Sequence, residues 1–229
     1  MQNSKTKNKN IMCEKRFELE KGDRFILKKS EGLANLTIEL GWTVPEKYRN
    51  KEDAPDPDAC TFLLGEEGII INDGGFVYYR SNCREEPFSR EKYSNKRNWR
   101  EKTYPVSPDG SVKGPHDDRG TDDDNSGQGN ENIIVDLNKV DPKITELVFC
   151  AAMYNHDKYT FGDVEDLYIS ITNDANSEEL CRYNLKDYFK TETAIVAGRM
   201  LCDEEGEWSF EAVGKSYTGG MQTLIDIYA

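Results

Sequence analysis

The chain has 229 residues, 36% hydrophobic and 32% charged, with 30 Lys and Arg against 43 Asp and Glu and a formal net charge of −13 at pH 7. That length fills one large domain or two small ones, and so acidic a balance argues against nucleic acid, whose binding rests on Lys and Arg neutralising phosphates. No apolar run reaches the length needed to span a bilayer.

The N-terminal stretch MQNSKTKNKNIMCEKR is basic and polar and lacks the apolar segment of a signal peptide, so residues 1–16 are expected to be a flexible tail. Without an export signal the expected location is the cytoplasm. From residue 17 to residue 229 no linker or repeat of fixed period divides the sequence, which is therefore expected to form a single domain.

Alternation of apolar and polar residues dominates that domain. It begins at Arg24–Lys28 and is clearest in Ala34-Asn35-Leu36-Thr37-Ile38-Glu39-Leu40. Such a pattern sets one face on a core and the other in water, as antiparallel strands do. An acidic turn, Asp56-Pro57-Asp58, leads straight into an apolar run at Ala59–Leu64, and a further strand is expected at Phe76–Arg80. The stretch from about Ser81 to Pro105 reads as a charged insertion, a surface loop or a short helical excursion. A second acidic stretch, DDDNSGQGNE from Asp122 to Glu131, precedes a strand at Ile133–Leu137.

The remaining strands are expected at Leu147–Tyr154, Leu167–Thr172, Glu179–Asn184, Ala194–Leu201 and Trp208–Ala212. Roughly ten strands with turn-rich connections predict an all-β fold, a two-sheet antiparallel β-sandwich. Behind Gly219-Gly220, the residues Met221, Leu224, Ile225 and Tyr228 fall at helical spacing. They predict a short C-terminal helix lying as a lid on the sheet core.

The six cysteines, Cys13, Cys60, Cys83, Cys150, Cys181 and Cys202, form no Cys-x-x-Cys pair. In a chain of this size without a signal peptide they are expected to be reduced. The two histidines, His116 and His156, exclude a zincin motif, and there is no Gly-x-Ser-x-Gly elbow and no phosphate-binding loop.

Positive evidence for chemistry lies in the two acidic stretches. Carboxylates crowded this closely repel, and a hard cation with several oxygen ligands, Ca²⁺ first, would let them fold together. Glycines among the oxygen-bearing side chains allow turns that aim carbonyls inward. The spacing fails an EF-hand, because counting from Asp122 or Asp123 puts Ile133 or Ile134 where the bidentate Glu belongs. The alternative without a ligand is a pair of solvated acidic loops.

A series of short segments resembles the motifs of one known protein family. Leu19-Glu20-Lys21-Gly22 and Leu40-Gly41-Trp42 resemble its opening motifs, and Asp56-Pro57-Asp58-Ala59-Cys60-Thr61-Phe62-Leu63-Leu64 resembles its D-L-D-A-S-A-F-L-L. Asn72-Asp73 with Phe76-Val77-Tyr78-Tyr79 resembles S-D-x-D-F-V-F-Y, and Ser107-Pro108-Asp109-Gly110-Ser111-Val112 matches S-P-D-G-S-V letter for letter. Asp124-Asn125 through Glu131, Phe161-Gly162-Asp163-Val164 and Glu207-Trp208-Ser209-Phe210 continue the series in order.

The family these segments resemble is TerD, of bacterial tellurium-resistance and stress proteins, and the resemblance implies a β-sandwich that binds Ca²⁺ through its acidic loops and acts by binding rather than catalysis. The implied partners are other tellurium-resistance proteins and a membrane-embedded component, with self-association left open. The ligand set it suggests takes Asp56, Asp58 and Asp73 from one side. Asp124, Asn125, Asn130 and Glu131 come from the other, with a carbonyl from Gln128. Thr43 and Gly75 stand where the pattern has Asp, and the Gly-Asp-Asp-Glu run shortens to Gly129-Asn130-Glu131. Asp117, Asp118, Asp122 and Asp123 are acidic substitutes nearby. The rival reading is a metal-dependent hydrolase acting on a phosphoester or nucleotide, with a carboxylate-held ion activating water.

Overall fold

A computed structural model describes residues 16–51, 53–117, 126–185 and 189–229. The expected tail, apart from Arg16, lies outside the described residues, as does the acidic run before residue 126. In chain order the elements are β1 (Phe17–Leu19), β2 (Arg24–Leu27), β3 (Asn35–Thr43), β4 (Pro57–Leu64), β5 (Phe76–Val77), α1 (Lys96–Lys102) and β6 (Val112–Lys113). After these come β7 (Gln128–Asp136), β8 (Glu146–Met153), β9 (Glu165–Asn173), β10 (Glu178–Asn184), β11 (Ala194–Cys202), β12 (Trp208–Tyr217) and α2 (Gly220–Tyr228).

The strands form two sheets, in the orders β1-β10-β9-β3-β7-β6 and β2-β12-β11-β8-β4-β5. All pairings are antiparallel except β1 with β10. Alternation decides which side chains meet between the sheets. Leu36, Ile38, Leu40 and Trp42 of β3 pack with Ile133 and Val135 of β7 against Ala59 and Leu63 of β4 and Leu147 and Phe149 of β8. Burying a side chain of this size stabilises the fold by about 1.5–3 kcal/mol.

β4 departs from simple alternation because all eight of its residues are buried. Its second face, Cys60, Phe62 and Leu64, forms a separate cluster with Val148, Cys150, Ala152, Ala194 and Val196, closed by Leu224 of α2. A strand covered on both sides reads as a continuous apolar run, which accounts for Cys60-Thr61-Phe62-Leu63-Leu64. The helical stripe of α2 packs as the sequence predicts, with Met221, Ile225 and Tyr228 against the cluster. Gly219 (φ 102°) and Gly220 (φ 63°) supply the left-handed turn before it. Thr193 Oγ1 accepts hydrogen bonds from both their N–H groups, at 3.0 and 3.1 Å.

The charged insertion is a folded excursion that contains α1. Asn95 caps the helix by accepting from Asn98 N at 2.8 Å. Trp99 is buried and its Nε1 donates to the Glu86 carbonyl at 2.8 Å. Arg84, 8% exposed, donates to the carbonyls of Tyr79 (2.8 Å), Arg100 (2.8 Å) and Thr103, and to Thr103 Oγ1 at 2.8 Å. Burial, with Arg100 nearby, pulls its pKa down to about 10. The hydrogen bonds to backbone oxygens are what make a buried guanidinium tolerable there.

Two sequence expectations change. β5 is two residues long rather than five, because the chain turns away at Tyr78, where Ser81 Oγ accepts from Tyr78 N at 3.0 Å. β7 begins at Gln128, five residues earlier than expected, in register with Thr43, Trp42 and Gly41 of β3. Gly129 is therefore a strand residue. A Cβ there would stand 2.4 Å from the Trp42 ring, so the glycine makes room for the indole rather than turning a carbonyl toward an ion. None of the five cysteines among the described residues is in a disulfide.

Candidate metal centre

The acidic turn before β4 is anchored by its backbone. The Asp56 carbonyl accepts from Tyr154 N at 2.8 Å, which ties the turn to the end of β8. Pro57 begins the strand, and Asp58 falls on the face that also carries Cys60 and Phe62. Asp56 is 7% exposed and Asp58 3%, so both carboxylates sit in the protein rather than on a solvated loop.

Asp117, exposed and four residues beyond β6, comes to the same place. One carboxylate oxygen from each of Asp56, Asp58 and Asp117 lies within 4.8 Å of the others. For the buried Asp56 and Asp58 that proximity, both ionised, costs roughly 3 kcal/mol at an effective dielectric of about 20. A cation held between them would reverse the sign of the interaction.

Four further side chains lie around the cluster. The Arg80 guanidinium lies 5.1 Å from the Tyr79 ring and 5.6 Å from the Tyr154 ring, and donates to the Tyr154 hydroxyl at 3.4 Å. Burial opposes its charge, but Tyr154 and the Asp58 charge together hold its pKa above the usual value. Burial, reinforced by Asp58, pushes the Tyr79 phenol well above its ordinary range. Glu131, 1% exposed, projects from the inner face of β7, and its Oε2 accepts from Ala59 N at 2.6 Å. It therefore reaches the same end of β4 as Asp58, from the opposite face of the strand.

The other expected ligands are dispersed. Asp73 begins a single 3-10 turn next to Gly75, whose neighbour is the Leu63 carbonyl. That is the far end of β4, five residues or roughly 17 Å along the strand from Asp58. Asn130 is exposed and lies on the face of β7 opposite Glu131, its Oδ1 accepting from Asn132 Nδ2 at 3.2 Å. Gln128 is an exposed residue in the β3–β7 ladder. Asp124 and Asn125 lie outside the described residues. Asp117 was not in the expected ligand set, although the sequence offered it, with Asp118, Asp122 and Asp123, as an acidic substitute for the missing carboxylates. Nothing in the sequence pointed to the Arg80, Tyr79 and Tyr154 frame, which only tertiary contact assembles.

The S-P-D-G-S-V segment has a different part to play. Asp109 Oδ1 accepts from Ser107 Oγ (2.6 Å), Ser111 N (3.0 Å) and Ser111 Oγ (2.8 Å), and its Oδ2 from Asp141 N (2.9 Å). Burial would raise its pKa, yet these donors hold it below the ordinary 3.8. This carboxylate is a structural pin for the turn.

The architecture is thus that of a two-sheet β-sandwich with a short C-terminal helix and an acidic cluster at one end of β4. The family model described as TerD domain matches residues 16–228, and the chain belongs to that family. It is 28% identical over 213 residues to "Tellurium resistance protein TerD" of Serratia marcescens, covering 92% of this chain and 95% of that protein. It is 30% identical over 216 residues to "General stress protein 16U" of Bacillus subtilis (strain 168), covering 93% and 96%. The crystal structure of a homologue of telluride resistance protein (TerD) from Streptomyces coelicolor A3(2) matches the fold with a TM-score of 0.59 at 14% identity, covering 84% of this chain and 95% of that one.

Proposed function

We propose that this protein is a Ca²⁺-binding stress protein of the tellurium-resistance type, acting as a binding module. The observation that carries the reading is the convergence of Asp56, Asp58 and Asp117, two of them buried, within 4.8 Å. The donor set is all carboxylate oxygen, which suits a hard divalent ion and not a soft one. Asp56, Asp58 and Asp117 would hold the ion, and Glu131 would brace Ala59 behind it. The ion would supply positive charge that lets the acidic turn and the segment after β6 close on each other. Ordered in that way, they would offer a fixed surface to other tellurium-resistance proteins, one of them membrane-embedded, in the cytoplasm.

The relatives are named for resistance and stress, and their names give the hydrolase alternative no support. Thermal unfolding in Ca²⁺ and then in excess chelator tests the reading. A higher midpoint with Ca²⁺ in the wild type, absent in Asp58→Asn, supports it. An unchanged wild-type midpoint overturns it.

A further inference from the structure

The face of β4 beneath α2 carries a pair of thiols that the acidic cluster does not use. Cys60 on β4 and Cys150 on β8 are register partners in neighbouring strands. Both belong to the cluster that α2 closes, with 0% and 3% exposure.

Separation decides what such a pair can hold. Directly opposed cross-strand residues keep their Cβ atoms about 4.5–5.5 Å apart. A disulfide draws them to about 3.5–4.5 Å, which the sheet resists. A single soft atom placed between the sulfurs, with metal–sulfur bonds of about 2.3 Å each, spans the wider gap without moving the strands. Thiol sulfur selects soft partners over hard ones. The surroundings are Phe62, Leu64, Val148, Ala152, Val196 and Leu224, an apolar lining that favours a neutral adduct over a charged complex.

We propose that Cys60 and Cys150 form a two-sulfur binding site for a trivalent thiophilic metalloid of the organoarsenical oxide class. The reaction is a condensation. Two S–H bonds and the arsenic–oxygen bond break, two arsenic–sulfur bonds form, and both protons leave on the oxygen as water. Arsenic remains trivalent throughout, so no oxidant or reductant is needed, and the product carries no charge. Entry requires α2 to lift, a local opening of a nine-residue terminal helix whose main anchors are Leu224 and the Tyr228 ring, 5.1 Å from Phe62. Neither thiol is a ligand in the acidic cluster, whose Asp58 lies two residues from Cys60 on the same face of β4.

The full chain, reduced and then freed of reductant, is treated with phenylarsine oxide and challenged with excess 2-mercaptoethanol. The monothiol strips arsenic from single cysteines but not from a chelating pair. Intact-mass spectrometry is expected to show one phenylarsenic group per chain surviving the challenge, lost in both Cys60→Ser and Cys150→Ser. Peptide mapping of the wild-type adduct is expected to place it on those two cysteines, which keeps the test decisive if a variant fails to fold. Leu224→Ala is expected to label about tenfold faster, because it loosens the covering helix. No surviving adduct in the wild type, retention in either serine variant, or mapping to Cys83, Cys181 or Cys202 overturns the proposal.

Discussion

Two acidic regions of this protein use the same side chain in opposite ways. At the S-P-D-G-S-V turn, Asp109 is surrounded by donors that the chain itself supplies, from Ser107, Ser111 and Asp141. At the start of β4, Asp56, Asp58 and Asp117 each bring a carboxylate oxygen within 4.8 Å of the others. The first carboxylate closes its own turn, and its charge is held by neutral hydrogen-bond donors. The second group concentrates negative charge in one place, which a bound cation would relieve. Acidic composition alone does not separate a structural pin from a ligand site; the direction in which the oxygens point does.

The largest effect is expected where the pin is removed. Asp109→Ala leaves the Ser107, Ser111 and Asp141 donors without their acceptor and should cost about 3 kcal/mol. Urea unfolding should show the same loss in Ca²⁺ and in chelator, and a Ca²⁺-dependent loss would blur the contrast between the two regions. Next, Ca²⁺ at about a hundred times its dissociation constant should stabilise the wild type by about 2.7 kcal/mol, read from the same unfolding curves.

Asp58→Asn should abolish that gain while raising the metal-free stability by about 1 kcal/mol, since it relieves repulsion with Asp56. A variant destabilised in chelator would show that Asp58 is a structural acceptor like Asp109. The two regions should also part company in acid. The folded pKa of Asp109 is below its ordinary 3.8, so its contribution is complete above that value and is lost as the pH falls through the lower folded pKa. Asp109→Asn should flatten this part of the acid-unfolding profile, below about pH 4. The smallest effect is expected at the far end of β4, where Asp73→Asn should change the Ca²⁺ response by less than about 0.5 kcal/mol.

How much of the site could be seen beforehand depends on where each residue sits along its strand. Asp56 and Asp58 were legible because they share one turn, and β4 carries both to one end. Asp73 looked equivalent because the sequence places it just before β5. The antiparallel pairing of β5 with β4 reverses the direction of the chain and sends Asp73 to the opposite end. Asn130 and Glu131 are neighbours in sequence, yet strand alternation points one outward and the other into the sandwich. Gly129 reads as a turn residue until the Trp42 ring is found against it.

The sequence by itself determined the β-sandwich, the position of nearly every long strand and the lid helix, since these follow from local periodicity and from apolar faces that must be covered. It also marked the acidic turn before β4, where the motif is contiguous. Tertiary structure decided which carboxylates converge, that Asp117 joins them while Asp73 does not, and that Cys60 faces Cys150. Those outcomes depend on strand register and direction, which bring together residues far apart in the chain and which no local pattern records.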